Sequence, residues 1–239
     1  MNEKKQRQAE RFYLFLAAIF IASLVGSNLI FQKFFFFQPL GFLASLGVEG
    51  SWVDYRFEVS VGLLPYPITF LVTDLISEIY GRRKADRVVF AGVIASLFTL
   101  GLVSIADVVP ATSWSPIGDE VFHNVFGLTG VAVFASMLAY LSAQFVDIRI
   151  FHFWKRLTKG RKLWLRNNLS TIPSQFIDTL MVLGLLCSVG AIDWSLFPVL
   201  FMNGFLYKVL VALIDTPFFY LTSGLAKRHF GLRLDEELG

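Results

Sequence analysis

The sequence predicts an all-α fold: a polytopic membrane protein of six transmembrane helices in one domain, with both termini cytoplasmic. Three observations carry this: an apolar composition, six stretches of spanning length, and a lopsided distribution of cations. Hydrophobic residues make up 55% of the 239 and charged residues 16%, at a mean hydropathy of +0.62. A soluble domain of this size carries more charge than that. A spanning helix needs roughly 20 apolar residues at about 1.5 Å rise each. Stretches at about 12–36, 62–80, 88–109, 125–148, 171–191 and 196–224 qualify. The remaining tails and loops are short, so residues 1–239 read as one transmembrane unit.

The first span is too long for a signal h-region and lacks a small-residue cleavage site, so it is expected in the mature protein. Its Ala18, Ala22 and Gly26 form a small-residue stripe at four-residue spacing. Such a stripe lets another helix approach closely, either within the bundle or from a partner membrane subunit. In the 37–61 connection, "SWVDYRFEVSV" (51–61) alternates apolar and polar residues. That period suggests a short strand or hairpin outside the membrane, a candidate lid; an irregular loop fits as well. Pro65 and Pro67 give the second span a kinked or broken start, and Pro173 and Pro217 predict further breaks in spans five and six. Cys187 lies inside span five, so no disulfide forms within one chain. His123, His152 and His229 fall in separate loops or ends with no metal-site spacing, and neither metal nor cofactor is expected.

Orientation follows from charge. All but Lys33, Arg56 and Lys208 of the 21 lysines and arginines lie in the N-terminal tail, the 82–87 and 149–166 connections, or the C-terminal tail. The opposite loops hold Glu49, Asp54, Glu58, Asp107, Asp119, Glu120 and Asp193. The positive-inside rule then places both termini in the cytoplasm. Trp52, Trp114 and Trp194 near outer ends, and Trp154 and Trp164 in the basic inner loop, suit interfacial aromatic belts. Topology accounts for the basic loop without a nucleic-acid partner; the surroundings are membrane lipid.

Ionisable groups within the spans cost at least about 2.5–3.5 kcal/mol to insert, which makes each a functional candidate. Counting from the nearest inner cation places Glu78 about 6 Å in, Asp74 and Asp147 about 12 Å, and Asp178 and Asp215 both about 18 Å. Gln175 shares a helical face with Asp178, and Asn203 and Lys208 lie on the span of Asp215. Asn28 and Gln32 form a further turn-spaced pair in span one, beside Lys33. This polar seam among phenylalanines suits a flat, hydrogen-bonding, stackable small molecule. Structural roles compete: Glu78 is placed to pair with Arg82, Asp147 with Arg149 or an inner-loop cation, and Lys208 with Asp215 or Asp178.

The stretches "PITFLVTDLISEIYG" (67–81), "FHFWKRLTKGRKLWLRNNLSTIPSQFIDT" (151–179) and "YKVLVALIDTPFFYL" (207–221) closely resemble the queuosine precursor transporter family, earlier grouped as putative vitamin uptake transporters. The resemblance implies a six-helix inner-membrane importer, not an enzyme, for 7-deazaguanine-type bases such as preQ0 and preQ1 that serve tRNA modification. A guanine-like edge offers adjacent N–H donors that a carboxylate accepts in bidentate fashion, while amides serve the carbonyl and ring nitrogens. On that basis Asp178 with Gln175 would read the base edge. Asp215, Lys208, Asn203, Asn28 and Gln32 would complete the pocket, and Asp74 and Glu78 would serve gating or release. Two other readings compete. The chain could be the substrate-binding subunit of an ATP-driven system, since it has no Walker motif of its own; a homo-oligomer is equally compatible. An intramembrane aspartyl protease built on Asp178 and Asp215 is the remote one, because the Gly-x-Gly-Asp context is absent.

Overall fold

The computed structural model describes residues 3–41, 46, 50, 53–127, 129–159, 162–190, 192–233 and 236–238. Glu49, Trp52 and Arg161, used above for orientation, lie outside the described residues. Six long helices dominate: α1 (Glu3–Ile30), α2 (Tyr66–Tyr80), α3 (Arg82–Val108), α4 (Thr129–Leu157), α5 (Leu163–Ser188) and α6 (Phe197–Phe230). Strands β1 (Phe34–Phe37) and β2 (Phe57–Ser60) pair antiparallel, from Phe34 opposite Ser60 to Phe37 opposite Phe57. Among the described residues, the segments containing α1, α2, α3, α5 and α6 are long and apolar enough to cross a membrane. α4, at 29 residues, is of matching length.

The burial pattern is that of helices solvated by lipid. On α1, Leu16, Phe20, Leu24 and Ser27 are buried at three- and four-residue spacing, while Leu14, Phe15, Leu29 and Ile30 face outward. Outward apolar side chains continue on α3 (Ile94, Phe98, Ile105) and α6 (Leu213, Ile214, Leu221). The Ala18 and Ala22 stripe is outward too, and a Cβ on Gly26 would meet nothing. Packing inside the bundle is therefore not its use; Phe20 and Leu24 take that role, and Phe20 fills the space where Gly92 lacks a side chain. α2 sits at the centre, buried along nearly its whole length from Thr69 to Tyr80. Its start is broken as expected: a 3₁₀ turn over Val61–Leu63, capped by the Ser60 hydroxyl, precedes a helix that opens on Tyr66 and Pro67. Proline is tolerated there because the first helical N–H groups have no partner to lose.

Three expectations need correction. Pro173 and Pro217 do not break their helices, which run continuously through both. Hydroxyls near each proline bond backbone carbonyls: Ser170 to Asn167, Ser174 to Thr171, and Thr216 to Ala212. Second, α1 stops at Ile30 rather than near residue 36, because Phe34–Phe37 leave the helix to pair with β2. The strand over 57–60 thus finds its partner before the connection, not within 51–61. Third, the basic residues Arg82–Arg87 and Arg166 are helical rather than in loops. α2 and α3 are joined by Gly81 alone, at a left-handed φ of 82°, with the Glu237 carboxyl where a side chain would stand.

Both termini and the basic junctions meet at one end of the bundle. The Tyr80 hydroxyl donates to the carbonyl of Ala9, and the Tyr13 hydroxyl to that of Lys84. Gln8 contacts His229, and the amide of Leu238 donates to the carbonyl of Ile79. The opposite end carries Trp114 and Trp194, both exposed, and Asp193, whose carboxyl accepts from the Ser195 amide and is held below its usual pKa by the Ser195 hydroxyl first and that amide second.

Candidate functional site

A cavity of about 130 Å³ opens between α1, α2, α4, α5 and α6 on the side away from the basic end. Its walls are aromatic and aliphatic, with Phe31, Tyr140, Met137, Val182 and Leu183 among them. Polar groups are few: Ser27 and Asn28 from α1, Ser136 from α4, Asp178 and Thr179 from α5, and Lys208 from α6. The β1–β2 pair roofs it, contributing Phe34, Glu58, Val59 and Ser60. Two contacts latch that roof to α6. The Tyr55 hydroxyl donates to Asn203 Oδ1 at 2.7 Å, and the Phe37 and Tyr207 rings meet edge-on at 6.2 Å.

The floor is a buried charged layer. Lys208 Nζ donates to Asp178 Oδ2 at 2.6 Å and to Thr179 Oγ1 at 3.1 Å. The Tyr66 hydroxyl donates to Asp178 Oδ1 at 2.7 Å, and the Lys208 ammonium lies 4.7 Å from the centre of the Tyr66 ring. Among the described residues each carboxylate oxygen of Asp178 therefore has one hydrogen-bond partner and a lone pair to spare, since an ionised carboxylate offers about four acceptor positions. Lys208 compensates the burial of the charge and Tyr66 fixes its plane. A buried acid–ammonium pair of this kind orients more than it stabilises, because desolvation cancels much of the attraction.

Beneath the floor lies a second space of about 20 Å³, room for roughly one water. Tyr66 and Lys208 line both spaces, so the Asp178 layer is the partition between them. Asp74, Asn167, Thr171, Gln175 and Asp215 surround the lower one. Below it again, at the basic end, Glu78 is gripped by cations from three helices. Arg166 and Lys227 each approach Oε1 at 2.5 Å, and Lys155 approaches Oε2 at 3.5 Å. Lys155 also reaches the Glu78 carbonyl at 3.1 Å and Glu237 of the C-terminal tail at 2.7 Å. Phe151 stacks beneath Arg166, 5.5 Å from ring centre to guanidinium.

The sequence candidates distribute over this column as follows. Asn28, Asp178 and Lys208 line the upper cavity. Gln175, Asp74 and Asp215 line the lower one, so Gln175 and Asp178 face different spaces despite their three-residue spacing. Asn203 holds the roof rather than lining either cavity, and Gln32, half-buried just past α1, lines neither. Lys208 pairs with Asp178, not with Asp215. Glu78 does not pair with Arg82, which meets Asp86 at 3.5 Å instead. Asp147 accepts from Ser174 at 3.0 Å, while Arg149 turns to the carbonyl of Phe145.

The equal depths expected for Asp178 and Asp215 are also corrected. Arg166 served as the interfacial marker, yet it is 1% exposed and lies inside the bundle with Glu78. Asp178 is level with Lys208, and Asp215 is seven residues further along α6, about 10 Å deeper toward the basic end. Reasoning from sequence missed Tyr66, Tyr140, Thr179 and the tail residue Glu237. Tyr66 alone carried a signal, a tyrosine between two prolines at a helix start.

The chain matches the family model described as putative vitamin uptake transporter over residues 60–222, from β2 through α6. The chain belongs to this family. Two curated relatives agree over a wider range. The probable queuosine precursor transporter of Bacillus subtilis (strain 168) is 27% identical over 213 residues, covering 87% of this chain and 92% of that protein. The queuosine precursor transporter of Escherichia coli (strain K12) is 28% identical over 180 residues, covering 75% and 71%. No solved structure matches the chain. The family match and the apolar helices together make this a multi-pass membrane protein of a transporter family, not of an enzyme family.

Proposed function

We propose that the chain is an inner-membrane importer of queuosine precursors, working as a single six-span unit with both termini cytoplasmic. The base binds in the upper cavity, and access alternates across the Asp178–Lys208–Tyr66 layer. The observation that carries this reading is that layer: a carboxylate with free lone pairs, fixed by two partners, at the floor of an aromatic-walled cavity. A 7-deazaguanine edge donates adjacent N–H groups to such a carboxylate, and the rings of Tyr66 and Tyr140 offer faces for the bicyclic ring. The volume supports a free base over a nucleoside, since about 130 Å³ falls well short of the roughly 300–1,000 Å³ of pockets for drug-sized ligands. The names of the Bacillus subtilis and Escherichia coli relatives supply the substrate class.

In this reading the described state faces the outer side under a closed roof. Tyr55 and Asn203 release the roof for entry. Asp74 and Asp215 receive the base after the Asp178 layer parts, and Glu78 with its three cations closes the cytoplasmic end. Placement of the basic end in the cytoplasm follows the positive-inside rule. The exposed Ala18, Ala22 and Gly26 stripe favours a second arrangement, in which a partner membrane subunit or a second copy docks on α1.

Uptake of labelled base by the purified protein in liposomes tests the proposal. Transport without added partners is expected, with competition by guanine-like and not adenine-like bases. A guanine-reading site leaves its own buried groups unpaired against adenine, which costs about 1–3 kcal/mol per group. Absence of any exchange in liposomes, restored by a second subunit, would replace the single-unit reading.

A further inference from the structure

We propose that Asp74 and Asp147 together bind one proton and that this proton drives import. The inference rests on the carrier reading above but concerns a pair of side chains outside the Asp178 layer at which the base first binds.

The two carboxyl groups come from α2 and α4 and face each other in contact, 1% and 0% exposed. Carboxylates only accept hydrogen bonds, so a contact between two of them lacks a donor until one carries a proton. The surrounding bonds leave that vacancy open. Ser174 donates to Asp147 Oδ1, yet among the described residues Asp74 Oδ1 and Asp147 Oδ2 have no partner. Two neighbouring oxygens are in the same condition, Gln144 Oε1 and Ser77 Oγ, both on fully buried side chains of the same two helices. Gln144 spends its amide on Thr73, beside Asp74. Three buried acceptors, with one serine hydroxyl as the only spare donor among these four atoms, mark a place for a proton.

The charged and titratable neighbours are committed elsewhere. Arg166 of α5 grips Glu78, and Lys208 of α6 holds Asp178. Tyr140 on α4 and Asp215 across the lower cavity complete the set, with the hydroxyls of Ser170 and Thr171 on α5. Among the described residues, α1 and α3 bring no charged group to either carboxyl. Among the described residues neither acid has an ion pair, unlike Glu78 or Asp178.

Position makes the pair a coupling element. Asp74 lines the lower cavity, so its proton exchanges with that space and not with the base cavity above. α2 also carries Tyr66, bonded to the floor of the base cavity, and Glu78 of the cytoplasmic knot. Two bare carboxylates in contact repel and separate α2 from α4, whereas one shared proton draws them together. The helix that parts the two cavities is thus moved by a single proton. That proton reaches the lower cavity together with the base, when the Asp178 layer parts, and leaves to the cytoplasm; no bond to the base forms or breaks.

The test uses the full chain in liposomes, with two assays run side by side. Counterflow exchange at equal pH reports carrier function alone, and a trapped pH dye with labelled base reports coupled flux. Wild type should accumulate the base at least tenfold when the outside is acidic, with proton influx that stops when base is withheld. Asp147→Asn should keep exchange but lose both accumulation and the base-linked proton signal. Asp74→Asn should likewise lose accumulation and the base-linked proton signal, and the infrared band of a buried protonated carboxyl should vanish in either variant. The proposal is overturned if Asp147→Asn accumulates base like wild type, if exchange is lost together with accumulation in folded Asp147→Asn, or if a sodium gradient drives wild type at constant pH with no proton flux. Loss of exchange in the wild type would instead strike down the carrier reading itself.

Discussion

The upper cavity and the knot at the basic end both bury charge, and they treat it in opposite ways. Around Glu78, one carboxylate meets three cations and a tail residue returns to add a fourth charge. Around Asp178, one carboxylate meets one ammonium and one hydroxyl, and open space lies directly above. The knot joins α2, α4, α5 and α6 at one point and leaves little for a ligand to add. The cavity layer keeps acceptor capacity in reserve. Buried polar groups with unused capacity are where recognition is to be sought, and buried groups that are saturated are where the bundle is held together.

The largest expected effect comes from unmaking the knot. Glu78→Gln takes from Arg166, Lys155 and Lys227 the carboxylate they share, and of the three Lys155 keeps Glu237 beside it. Breaking a single buried pair costs about 3–5 kcal/mol, so loss of the shared carboxylate should abolish stable expression or strip the melting transition in detergent. If Glu78→Gln folds and melts like wild type, the knot is not what closes this end.

Next comes the cavity floor. Asp178→Asn with Lys208→Met removes the charge pair together, sparing the bundle an orphaned ammonium. Loss of hydrogen bonds to a charged group costs roughly 1.5–3 kcal/mol, which weakens base binding about 10- to 100-fold. Equilibrium binding should show this with the melting temperature nearly unchanged; a parallel fall in both would assign the layer to stability instead.

A smaller effect is expected at the roof. Tyr55→Phe removes one neutral hydrogen bond to Asn203, about 0.5–1.5 kcal/mol, and should raise exchange rate or KM a few-fold. The smallest belongs to Arg82→Gln. Its pair with Asp86 is an exposed i,i+4 contact worth about 0.3–0.5 kcal/mol, so uptake and melting should both stay at wild-type levels.

The helical elements and the basic end were legible in the sequence because lipid imposes long apolar runs and sorts cations to one side. Asp178, Lys208 and Asn28 were legible because an ionisable or amide group in an apolar run is conspicuous. What could not be read was who meets whom. Glu78 draws its partners from positions 77, 88 and 149 residues away, and no local spacing announces a knot of that range. Depth counted from Arg166 failed for the same reason, since a buried cation cannot mark an interface. β1, the partner of the strand expected within 51–61, escaped notice because "FFFF" reads as part of the apolar run assigned to span one. Tyr66 was overlooked because tyrosine does not stand out among so many aromatics, yet it spans the partition between the two cavities.

Site-directed protection locates the base most directly. In a Cys187→Ser background, Met137→Cys places a thiol on the wall of the upper cavity and Leu71→Cys places one on the lower. A membrane-permeant thiol reagent reports the exposure of each with and without 7-deazaguanine base. The account predicts that saturating base slows labelling at position 137 at least tenfold and leaves position 71 unchanged. Protection at 71 but not 137 would place the substrate below the Asp178 layer and contradict it.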